Sequence, residues 1–126
     1  MSFKTLMIIK AVVCLGFGPI LLFLPEQLLN LLGLTFCVGA AFTAREYGAT
    51  LIGNLLLTWF ARSAEVSVAR RAIILHLFAY DAIALVVTLI FVFSGDMNPL
   101  GWGIVAVYLF FTIGYGYFLL PKKQAA

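Results

Sequence analysis

Charge is scarce in this chain: eight lysines and arginines and five aspartates and glutamates make up 10% of 126 residues, against 64% apolar ones. A soluble domain carries about 25% charged residues, and a chain this short cannot bury so much apolar surface in one core. Histidine occurs once, and cysteine only as Cys14 and Cys37. That leaves no CxxC pair, no zinc-like spacing and no bis-histidine haem site within one chain. GxSxG, HExxH, phosphate-binding glycine loops and paired-carboxylate motifs are absent too, so neither a catalytic residue nor a metal site is expected.

Long apolar runs dominate what is present. A helix needs about 20 mostly apolar residues to cross about 30 Å of hydrocarbon, and residues 5–24, 41–61, 72–93 and 101–120 meet that requirement. The expected fold is all-α: one transmembrane domain over residues 1–126, an antiparallel four-helix bundle with a short interfacial helix after the first span. That short helix is read from Pro25 at a helix-start position, Glu26 in its first turn and Gly33 at its end. Ser94-Gly95-Asp96-Met97-Asn98-Pro99 cannot continue a helix and closes the third span. Trp59 and Trp102 fall at span ends, where amphipathic rings anchor at headgroup level. The first span follows Lys4 as a signal peptide would, but it is long and no small-x-small cleavage site follows it, so it is expected to be retained.

The few basic residues alternate between loops. Lys4, Arg62, Arg70, Arg71, Lys122 and Lys123 are six of the eight and share one side of a four-span scheme, whereas Glu26 and Asp96 fall on the other. The positive-inside rule then puts both termini in the cytoplasm, with the chain crossing the membrane several times. Basic residues at span ends meet anionic headgroups. The expected partners are therefore the bilayer and other membrane subunits, with no nucleic acid.

Inside the spans, polar residues recur at intervals of three and four, the spacing that gathers side chains on one helix face. Asp81 stands about 15 Å from the Arg70/Arg71 boundary at 1.5 Å per residue, where an aspartate costs about 2.5–3.5 kcal/mol and demands a partner, a proton or water. Asn54 reaches similar depth on the preceding span, and the long stem of Lys10 reaches inward from the cytoplasmic side. Lys10, Asn54 and Asp81 are expected to form a buried polar cluster, which either fixes helix register or marks a pathway for protons, ions or a ligand. His76 and Tyr80 lie one turn apart on a shared face. They are candidates for a pigment contact, since a lone membrane histidine can ligate haem or chlorophyll, although no cofactor is required by the pattern. Arg45 and Glu46 form a charged pair near the outer end of the second span, about 100° apart around the helix.

The stretch from Arg45-Glu-Tyr-Gly48 through Gly53, Trp59 and Ala61-Arg62, then Arg70-Arg-Ala-Ile73 and Asn98-Pro-Leu-Gly-Trp102, resembles small bacterial four-span proteins described as DoxX-like. The resemblance covers most of the chain. It implies a four-helix bundle in the inner membrane and, in some members, association with quinone-linked or thiol-oxidising systems. With no soluble domain and no catalytic constellation, the leading expectation is a non-enzymatic accessory or scaffolding subunit of a larger membrane complex. The alternatives are a small transporter or channel using Lys10, Asn54 and Asp81, and a redox or quinone-associated protein using His76, Tyr80 or Cys14.

Overall fold

The computed structural model describes residues 1–120; Lys122 and Lys123 lie outside the described residues. Among the described residues five helices follow one another, with no strand: α1 (Phe3–Phe23), α2 (Pro25–Leu31), α3 (Val38–Phe60), α4 (Val68–Phe93) and α5 (Gly101–Leu119). Their ends are set locally. Ser67 caps α4 by accepting from the Arg70 N–H at 3.1 Å, and the Cys37 thiol caps α3 by accepting from the Ala40 N–H at 3.4 Å. Pro25 opens α2, where its missing N–H costs nothing. Gly33, at φ 79°, closes it in a Schellman motif: the Leu34 N–H donates to Leu29 O at 2.9 Å and the Gly33 N–H to Asn30 O at 3.0 Å. Gly95, at φ 83°, follows the end of α4 in the same left-handed conformation.

The helices α1, α4 and α5 are long and apolar enough to cross a membrane. The second expected span forms α3, which has the length, at 23 residues. Arg45, Glu46 and Asn54 dilute its apolar content, and by length and composition it does not join the other three. Three helices rather than four therefore meet the physical requirement outright.

Contacts divide the chain into two compact units, Met1–Leu6 with the chain from Ser63 onward, and Met7–Arg62. In the first, α4 and α5 form an antiparallel hairpin. Phe93 at the end of α4 meets Trp102 at the start of α5, edge to face with ring centroids 5.4 Å apart. Arg71 at the opposite end donates to Leu119 O at 3.4 Å. The first turn of α1 joins this second end, with Phe3 edge-on to Phe118 at 5.8 Å and Leu6 filling the space over Gly114.

In the second unit, α1 and α3 cross through glycine. A Cβ at Gly48 would stand 2.7 Å from Leu22 N and 2.8 Å from Gly18 O, both backbone atoms that cannot swing aside. Without water-driven collapse, helices in lipid gain from packing, and small residues let backbones approach. Gly48→Ala should force α1 and α3 apart and lower stability by about 1–3 kcal/mol, as overpacking does. Gly16→Ala, with no neighbour within 4 Å of the added methyl, should be neutral or slightly stabilising. Thermal unfolding of the detergent-solubilised protein measures both.

Candidate functional site

Each helix buries one stripe at three- and four-residue spacing. On α4 it runs Arg70, Ile74, Leu77, Asp81 and Thr88, and on α3 Ala44, Gly48, Leu51, Asn54 and Thr58. Asp81 is 0% exposed in the first unit, while Lys10 at 2% and Asn54 at 5% belong to the second. Asp81 stands at the middle of α4, about 18–20 Å from either end at 1.5 Å per residue. Polar groups buried away from water cost several kcal/mol each unless bonded, so the burial of Asp81 and Lys10 constrains the fold strongly.

The threonines on these helices have a simpler arrangement. Thr58 donates to Asn54 O at 2.7 Å, Thr88 to Ala84 O at 2.8 Å and Thr50 to Glu46 O at 3.1 Å. These back-bonds to the preceding turn satisfy the hydroxyls without any ligand. They assign the threonine stripes to packing.

Sequence reasoning missed the role of Arg70. Read as a boundary charge turned to headgroups, it is instead 6% exposed, with its guanidinium carbon 4.1 Å from the centre of the Phe3 ring. Phe3 is itself buried against Phe118, so a desolvated cation–π contact ties the start of α1 to the α4–α5 hairpin. The signal available in the sequence was an aromatic one residue after the Ser2 cap, whose hydroxyl accepts from the Thr5 N–H at 3.1 Å. Arg62 in the second unit uses the same chemistry closer to solvent, its guanidinium 4.0 Å over the Trp59 ring.

His76 is exposed on α4, with its ring 6.4 Å from that of Tyr80 and tilted by 30°. A pigment ligated there would sit on the outside of the unit. Cys14 is buried and Cys37 exposed, and neither forms a disulfide. No group of three or more histidines, cysteines, aspartates or glutamates placed to hold a metal occurs among the described residues. Arg45 and Glu46 are both exposed on α3, and neither makes an ion pair among the described residues.

No family model, curated protein or solved structure matches this chain.

Two substitutions weigh the buried polar groups. Asp81→Asn keeps the shape but replaces the buried carboxyl, and should cost about 1–3 kcal/mol of stability. Phe3→Leu retains an apolar side chain but removes the ring face under Arg70, and should cost about 2 kcal/mol. Unfolding midpoints in one detergent report both; unchanged values would show that neither group is bonded as its burial requires.

Proposed function

We propose that this chain is a non-enzymatic integral membrane protein of the bacterial inner membrane, an accessory subunit that packs beside a larger membrane complex. The observation that carries this reading is the inverted distribution of polarity. Leu75, Ile83, Val86 and Ile90 on α4, Val12 and Leu15 on α1 and Ile113 on α5 are exposed, whereas Lys10, Asn54, Arg70 and Asp81 are buried. Lipid tails and neighbouring helices accept the first set at no cost, while water would not.

Charge supports an orientation. One end of the first unit carries Lys4, Arg70 and Arg71, and the other carries Asp96, bonded by the Ser94 hydroxyl at 2.7 Å. The basic end faces the cytoplasm under the positive-inside rule, together with both termini. For α3 to be the fourth pass, the Arg45 guanidinium must reach headgroup level; Arg45 stands about 10 Å from the start of α3 at 1.5 Å per residue, within reach of a snorkelling arginine. The DoxX-like resemblance favours the same four-pass arrangement.

The two native thiols provide the topology test. In intact spheroplasts a membrane-impermeant maleimide should label Cys37 and leave Cys14 unmodified. In a Cys37→Ser background, Ser63→Cys should be labelled only after lysis. Labelling of positions 37 and 63 from the same side would remove α3 as a crossing helix. The subunit role predicts co-migration with a stoichiometric membrane protein after mild detergent extraction, and recovery of this chain with no other protein would overturn it.

The burial of Lys10, Asn54 and Asp81 favours a second reading, a small transporter or channel. It predicts an ion or solute flux in proteoliposomes that Asp81→Asn abolishes while the folded protein persists.

A further inference from the structure

α3 has two faces of opposite character. Ala44, Gly48, Leu51, Asn54 and Thr58 are buried. At about 100° per residue, Phe42, Ala49, Gly53, Leu56 and Phe60 fall together on the other side, within an arc of about 60°. All five are exposed, and Phe60 remains 78% accessible. Arg45 and Glu46 flank this arc, one on each edge, at nearly the same height.

That placement has an electrostatic consequence. Neighbours in sequence do not face each other on a helix, so Arg45 and Glu46 cannot neutralise one another, and each lacks an ion pair among the described residues. In a membrane helix such charges cost about 2.5–3.5 kcal/mol each near the bilayer centre, and less towards its edge. A second copy in the same orientation supplies both missing partners at once. When a two-fold axis runs parallel to two facing helices, the left flank of each meets the right flank of the other. Arg45 of one copy then opposes the Glu46 of its partner, and the converse pair follows by symmetry. Between the flanks, Ala49 and Gly53 are four residues apart, the small-xxx-small spacing that lets two helix backbones approach closely. Gly53 has nothing within 4 Å of the position a Cβ would take.

We propose that α3 carries the contact surface of a parallel homodimer, in which two copies of this chain meet along the face bounded by Arg45 and Glu46 and exchange two reciprocal Arg45–Glu46 ion pairs. The helix is occupied on one side by α1 and on the other by its own copy, and the exposed apolar side chains of α4 remain for lipid or other subunits. The inference rests on the reading of α3 as lying in the membrane.

The test uses the full chain in bacterial membranes and in reconstituted vesicles. Cys37→Ser leaves a hydroxyl to cap α3, and Ala49→Cys in that background should oxidise to a covalent dimer. Ile83→Cys, exposed on α4, should not. With fluorophore-labelled copies in vesicles, Arg45→Glu and Glu46→Arg should each weaken dimerisation at least ten-fold, and the double exchange Arg45→Glu/Glu46→Arg should restore it. The dimer is overturned by monomers at every protein-to-lipid ratio, by equal cross-linking at positions 49 and 83, or by a double exchange no better than either single change. Alkaline carbonate washing of the same membranes separates the two levels of failure. Protein that stays in the pellet but is monomeric overturns the dimer alone, and protein released to the supernatant overturns the membrane reading as well.

Discussion

Hydrocarbon offers no hydrogen bonds, and every other feature of this chain answers to that constraint. Backbone groups must be satisfied within the segment, which makes helices the structure of long apolar runs. Side-chain hydroxyls turn back onto their own helix, as Thr58 and Thr88 do. On α1 and α4 the charged residues go inside or to the ends. Apolar side chains, which dominate soluble cores, are released to the outside because facing lipid costs them nothing.

The same constraint changes what holds helices together. Burial of apolar area from water is no longer the driving term, so contact quality decides: the glycine crossing of α1 and α3, the ring contacts at both ends of the α4–α5 hairpin, and the guanidinium of Arg70 laid on Phe3. Arg70 and Arg71 are adjacent in sequence and diverge in role, one turned inward onto a ring and the other reaching the Leu119 carbonyl at the end of α5. Both positions suit arginine, whose planar cation stacks on aromatic faces and whose several N–H groups reach free carbonyls. A lysine at either place would lose part of that geometry.

α3 is where the demands conflict. It is as long as a spanning helix, yet it carries a charged pair and a buried asparagine, and its apolar content falls below that of its neighbours. Its polar groups divide between two faces. Asn54 and Thr58 lie on the buried side, where Thr58 bonds to the Asn54 carbonyl, while Arg45 and Glu46 stand on the outer side and invite a partner of matching charge.

What could be read from the linear chain was whatever depends on near neighbours and on the cost of leaving water. Proline at 25 and glycine at 33 bracket α2 because a missing N–H and a left-handed φ are properties of single residues. Helical class follows from the length of the apolar runs. The difference between three strongly apolar helices and four turned on the sum over α3, where a few polar residues outweigh many leucines. Tertiary structure alone decided which glycine touches backbone, that Arg70 points inward to a ring more than sixty positions away in sequence, and that His76 is exposed. Those outcomes depend on which helix face meets which, and spacing within one helix specifies a face without naming what lies opposite.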